Sequence, residues 1–131
     1  MADCEDVTNT PPDANLTDTM TTSFADHDGV TVLTVTGEVD LATAPALETA
    51  IDAALDADPA GLVVDLAAVS FLASAGMAAL VAAYQRAGDK TTIALVADGP
   101  ATSRQLKMTA LDQVFALHTT LDAALASFRA G

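Results

Sequence analysis

Hydrophobic positions along this chain alternate between short β-prone runs and longer stretches at helical spacing. From Val30 to Thr36, Leu33 and Val35 share one strand face while Val30 and Val32 share the other. Such a strand is covered, at least in part, on both sides. Ahead of it, Thr22-Ser23-Phe24 leads into Asp26-His27-Asp28-Gly29, and Asp-Gly between two β-prone runs predicts a hairpin. Order is expected to begin near Thr21. Gly37-Glu38-Val39-Asp40 closes the second strand, and a helix is predicted from about Thr43 to Ala57. Thr43 serves as its cap, Pro45 fits the first turn, and Leu47, Ile51, Ala54 and Leu55 form its apolar stripe.

After Asp58-Pro59-Ala60-Gly61, an apolar run starts at Leu62-Val63-Val64-Asp65-Leu66, passes through Ala67 to Ala73 and turns helical at Ser74. The helix carries Met77, Leu80, Val81 and Tyr84, with Tyr84 at the core rim, and ends at Gly88. Thr91 to Val96 reads as a further strand. Asp98-Gly99-Pro100 turns into a helix bearing Leu106 and Met108. Val114 to Leu117 reads as the last strand, and a final helix starts at Thr119 or Thr120 with Leu121, Leu125 and Phe128 along one side. Strands alternating with helices make right-handed crossovers, so the expected class is α/β with a mainly parallel sheet and one antiparallel edge.

Composition adjusts this picture at the N-terminus. The first twenty residues carry five acids, no Lys or Arg, and Pro11-Pro12. This composition buries too little apolar surface to offset ordering entropy, so residues 1–21 are expected to form a disordered acidic tail and 22–128 a single domain. Asn15-Leu16-Thr17 matches a glycosylation pattern that has no meaning without secretion, and no secretory leader is expected in Met1 to Thr22. Over the 131 residues the formal charge is −13, which repels nucleic acid and anionic lipid surfaces. The single Cys4 fits a reducing, cytoplasmic compartment. Leu66 to Ala83 is eighteen residues without a charge, at the lower length limit for a membrane span. Its Ala, Ser70, Ser74 and Gly76 content and the change from strand to helix pattern within it argue instead for a buried α/β core.

Catalytic signals are thin. Glu38 and Asp40 form a carboxylate pair two residues apart, and in a strand they would point the same way. No His, Lys or Cys lies nearby in sequence to complete a catalytic set, so a solvated loop is the reading preferred. There is no phosphate-cradling glycine loop, and Cys4, His27 and His118 are too scattered in sequence to propose a metal site. The acidic pair, acceptor Asp and Lys of receiver domains are also absent. Neither cofactor nor enzymatic activity is expected.

Ser74 carries the remaining signal. A hydroxyl before a long apolar helix caps it structurally, and the same helix N-terminus tolerates a phosphate on that hydroxyl. Val63-Val64-Asp65-Leu66 followed by Val69-Ser70-Phe71-Leu72-Ala73-Ser74-Ala75-Gly76-Met77 resembles the signature of STAS-domain anti-sigma factor antagonists, an apolar-Asp-Leu strand followed by F-[IML]-D-S-S-G-[LM]. Ala73 stands where that family has Asp, and Ala75 where it has a second Ser or Thr. Gly37-Glu38-Val39-Asp40 resembles its G-E-[LV]-D. Leu106 to Phe115 resembles its L-x-x-[ST]-G-L-x-x-[VI]-F, with Ala110 at the glycine.

The resemblance implies a STAS fold: a four- to five-stranded sheet, an N-terminal hairpin strand, and about four helices lying mostly on one face. It further implies a protein that binds an anti-sigma factor with serine kinase activity, frees a sigma factor for transcription and is switched off by phosphorylation of Ser74. Glu38, Asp40, Thr43, Ala73, Ser74, Ala75, Gly76 and Met77 are the expected partner-binding residues. Gly76, lacking a Cβ, is expected to let the partner approach closely, so that bulk there harms binding more than folding. The chain is expected to be a monomer or weak dimer. The alternative is a non-phosphorylated STAS scaffold module in a transporter or lipid-trafficking complex.

Overall fold

The first hairpin sets the frame. In the computed structural model, which describes residues 20–88, 90–99 and 102–130, β1 (Met20–His27) and β2 (Val30–Val39) are antiparallel and joined by Asp28-Gly29. Both turn residues have positive φ, 55° and 87°, the geometry that matches strand twist in a two-residue turn. The strand takes in Met20 and Thr21, which the composition argument assigned to the acidic tail. The rest of that tail lies outside the described residues.

Next come α1 (Ala44–Asp56), β3 (Gly61–Leu72), α2 (Ser74–Ala87), β4 (Thr92–Val96), α3 (Ser103–Met108), a 3-10 turn at Leu111–Gln113, β5 (Ala116–His118) and α4 (Leu121–Ala130). The sheet order is β1-β2-β3-β4-β5, with every pair after the first parallel. The uncharged Leu66 to Ala83 run is thus divided between β3 and α2. No helix among the described residues is long and apolar enough to cross a membrane.

Two apolar clusters fill the two sides of the sheet. The larger joins Leu33, Val35 and Val39 of β2 and Leu62, Val64 and Leu66 of β3 to Leu47 and Ile51 of α1, Leu80 of α2 and Leu106 of α3. The smaller joins Val30, Val32, Val63 and Val96 to Ala124 and Leu125 of α4, with Leu121 and Phe128 packed against it. The alternation in β2 therefore sends Leu33 and Val35 to one layer and Val30 and Val32 to the other. Tyr84, 48% exposed, packs edge-on against Phe115 at 5.6 Å between ring centres and 76° between planes.

The last strand begins two residues later than expected. Residues 111–113 form the 3-10 turn, which swings the buried Phe115 into the larger cluster before pairing starts at Ala116. Ahead of it, Ala110 has φ 64°, a left-handed conformation that a Cβ disfavours by roughly 1–2 kcal/mol. Gly has no such penalty there, although it loses more entropy on folding. Ala110→Gly should therefore raise stability by about 1 kcal/mol, and Tm by roughly 4–8 °C. Thermal unfolding followed by circular dichroism checks this, and a lowered Tm would contradict it.

Candidate functional site

Parallel strands aim their C-terminal ends at one edge of the sheet, and that edge is where open α/β sheets hold their ligands. At this edge Val39 ends β2 and Leu72 ends β3. The two are paired, and the Ala73 N–H donates to the Val39 carbonyl at 2.8 Å. The β2–α1 loop and the start of α2 are thereby held side by side, and six of the eight expected site residues, Asp40, Thr43, Ala73, Ser74, Ala75 and Met77, gather there. Glu38 lies exposed just before them in β2. Gly76 shares the place and, like Thr43, is buried.

The β2–α1 loop is organised by Asp40. Its Oδ1 accepts from the Ala42 N–H at 2.9 Å and the Thr43 N–H at 3.0 Å, and its carbonyl accepts from the Ala44 N–H at 2.8 Å. The buried Thr43 hydroxyl accepts from the Asp40 N–H and donates to the Glu38 carbonyl, both at 2.9 Å. Thr43 is the residue before α1, yet its side chain makes no cap bond to that helix, contrary to expectation. Its hydroxyl is turned back into the loop. Nor do Glu38 and Asp40 act as a pair: Asp40 lies beyond the end of β2, and its carboxylate is engaged by the loop. This knot props up Leu41, which is 81% exposed. Asp40→Ala should cost about 1–2 kcal/mol and loosen Leu41, because the Ala42 and Thr43 N–H groups lose their acceptor. A urea midpoint no lower than the parent's would contradict that accounting.

At α2 the expected Ser74 cap is corrected. Ala73, with extended φ −84° and ψ 168°, is the cap residue, and Ser74 is the first helical residue with an exposed side chain. The Gly76 and Met77 N–H groups bond the Ala73 carbonyl at 3.0 and 3.2 Å. The hydroxyl therefore stands at the positive end of a fourteen-residue helix. Leu41, Ala44, Pro45, Glu48, Ala75 and Ala78 line a hollow of about 200 Å³ beside it. Neither the β2–α1 loop nor α2 supplies a Lys or Arg before Arg86. Arg86 itself is engaged with Asp52 and Asp56. Met77 bridges to α3, where the Thr109 hydroxyl lies 3.5 Å from its sulfur.

The reading of Gly76 is overturned. A Cβ there would meet Val39 Cγ1 at 2.5 Å and Leu72 Cδ1 at 2.9 Å, both within the protein's own core. The missing side chain lets α2 sit down on the ends of β2 and β3, not a partner on α2. Sequence reasoning also missed Leu41. A single apolar residue in a loop has no periodic signal, and only its exposure, in a hollow shared with Ala75 and Ala78, marks it. His27 and His118 lie at opposite edges of the sheet, and Cys4 is outside the described residues.

Residues 22–124 match the family model described as STAS domain. The chain is 43% identical over 114 residues to the anti-sigma-F factor antagonist RsfB of Mycobacterium tuberculosis, covering 87% of this chain and 93% of that protein. It is also similar to a solved anti-sigma factor antagonist from Mycobacterium paratuberculosis, with TM-score 0.82 and 50% identity over 86% of this chain and 96% of the other. A match to SpoIIAA in its unphosphorylated form, with TM-score 0.69 and 15% identity over 85% and 98% of the two chains, speaks to the fold alone.

Proposed function

Because the chain belongs to the STAS-domain family, and its relatives at 43% and 50% identity are anti-sigma factor antagonists, we propose that it binds an anti-sigma factor through the edge around Ser74 and so releases a sigma factor. The chain acts as an anti-sigma factor antagonist, a binding protein whose output is competition. Its partner is an anti-sigma factor with serine kinase activity, and Ser74 is the residue phosphorylated. The observation that carries this reading is the placing of Ser74: an exposed hydroxyl on the first residue of α2, next in the chain to Ala75, which with exposed Leu41 and Ala78 lines a surface hollow.

The chemistry of the edge accounts for a switch. Leu41, Pro45, Ala75 and Ala78 offer a small apolar surface that a partner dehydrates on docking. A phosphate on Ser74 adds about −1.5 to −2 charge at its border, where Glu38, Asp40 and Glu48 are already acidic. With no cation from the β2–α1 loop or the first turns of α2, the partner must dehydrate that charge uncompensated. The departures at Ala73 and Ala75 remove a carboxylate and a hydroxyl next to the acceptor, while the helix N-terminus that stabilises the product remains. The direct test is to incubate the purified protein with candidate kinase anti-sigma factors and ATP, and to read complex formation and intact mass. A gain of one phosphate on the parent and none on Ser74→Ala is the expected result.

A further inference from the structure

The two edges of the sheet are guarded unequally. β5 closes one side with only three residues, and so short an edge strand offers little to pair with. β1 closes the other side with eight residues, seven of them exposed, and among the described residues no strand lies beyond it. It holds no Lys and no Pro and pairs with β2 without a bulge, so three devices that blunt an edge are missing from it. The Asp28-Gly29 turn fixes which of its main-chain groups face outward. In a two-residue hairpin the flanking residues, here His27 and Val30, form a hydrogen-bonded pair, and such pairs recur at every second residue. Thr21, Ser23, Ala25 and His27 therefore direct their N–H and C=O groups to β2, whereas Thr22, Phe24 and Asp26 direct theirs away from it. Phe24 pairs with Leu33, which puts its ring on the α1 side of the sheet, 51% exposed. There it lines a groove of about 410 Å³ with Thr31, Ala53, Ala54 and Ala57.

We propose that β1 is a self-association edge, which pairs antiparallel with β1 of a second copy of this chain and joins the two sheets into one. The strand is self-complementary in one register. A two-fold axis at Phe24 sets Phe24 against its counterpart, Thr22 against Asp26, Ser23 against Ala25 and Thr21 against His27 of the second copy. The outward groups of Thr22, Phe24 and Asp26 then meet one another and form about six main-chain hydrogen bonds. The aromatic pair lies on the α1 side, beside the two alanine-lined grooves, and each Asp26 carboxylate faces a Thr hydroxyl. Centring the axis on Asp26 instead would bring two carboxylates together, which disfavours that slip. A seam of one strand pair belongs to the small class of interface, under roughly 1,200 Å². Each copy also carries a formal charge of −13, so the dimer is weak, with a dissociation constant on the order of 100 μM. Because the axis reverses strand direction, the two Ser74 edges lie at opposite ends of the joined sheet and neither is covered. The pairing does not rest on the function proposed above.

Sedimentation velocity of the full chain between about 10 μM and 1 mM should show a monomer–dimer equilibrium. Raising salt from about 50 mM to 0.5 M should tighten it about threefold or more, because screening removes the repulsion between two acidic copies. Amide exchange read by NMR locates the seam. Protection at Thr22, Phe24 and Asp26 should rise with protein concentration, while Ser23, Ala25 and His27 should be protected throughout. Phe24→Lys should abolish the dimer and leave the monomer's Tm nearly unchanged, since the ring is half exposed. A monomer at about 1 mM, a dimer without the alternating protection, insensitivity to Phe24→Lys, or loosening by salt would each overturn the proposal. Protection of the outward amides that is independent of concentration would give the edge to another part of the same chain and overturn it too. So would a scrambled version of the Met20–His27 peptide that displaces the dimer as well as the native peptide does, because the edge would then accept foreign strands at large.

Discussion

Gly76→Val should cripple folding before it touches any partner. The valine Cβ would have to occupy a point 2.5 Å from Val39 Cγ1 and 2.9 Å from Leu72 Cδ1. Both neighbours are fully buried and end the two central strands, so neither has free space to retreat into. Relief requires lifting the first turn of α2 from the sheet, which exposes Leu80 and Ala83 beneath it. Overpacking of this kind costs about 3 kcal/mol or more, a large share of the roughly 5–15 kcal/mol that holds a domain together. Urea denaturation should show a midpoint lowered by at least 1 M, at a slope of roughly 1–3 kcal/mol per M. A variant with the parent's midpoint but no partner binding would restore Gly76 to the interface and reverse this reading.

The second large effect is electrostatic. Phosphorylation of Ser74 should weaken binding to the anti-sigma factor on the order of a hundredfold or more, the consequence of burying an uncompensated dianion worth several kcal/mol. Ser74→Ala should bind like the unphosphorylated parent and keep binding in the presence of kinase and ATP. Ser74→Glu, with one charge in place of nearly two, should be weakened by a smaller factor. Calorimetry on the four species, paired with intact mass, separates these outcomes. If Ala and Glu variants both bind like the parent and no mass shift appears, the switch is absent and the non-phosphorylated scaffold takes its place. Because Ser74 is exposed and Gly76 is buried, the two predictions part company in the assay. The first moves stability and the second leaves it nearly unchanged.

Much of this architecture was legible from local physics. The Asp28-Gly29 turn could be read because few residue pairs accept two positive φ values in succession, and the two-sided β2 because a strand alternates its faces strictly. α1 and α2 were placed within a residue or two, since helical periodicity and the breakers around Pro59 and Gly88 act locally. The motif around Ser74 located the edge of interest for the same reason: a strand, a tight connection and a helix N-terminus are encoded within a dozen residues.

What the sequence left undetermined were facts about which groups meet across the fold. Whether Gly76 faces a partner or the core depends on Val39, thirty-seven residues earlier, and on how closely α2 seats against it. Thr43 looked like a cap because a hydroxyl precedes a helix, but the carbonyl of Glu38 and the amide of Asp40 compete for it once β2 delivers them. The start of β5 moved because burying Phe115 against the larger cluster outweighs two more residues of edge pairing. Periodicity could not say that α1, α2 and α3 share one face and α4 takes the other, since a doubly covered strand reads alike from both sides. Local interactions decide what a segment becomes. Packing between segments distant in sequence decides what each side chain faces, which is why Gly76 and Thr43 turn inward at the candidate edge while Ser74 stays exposed.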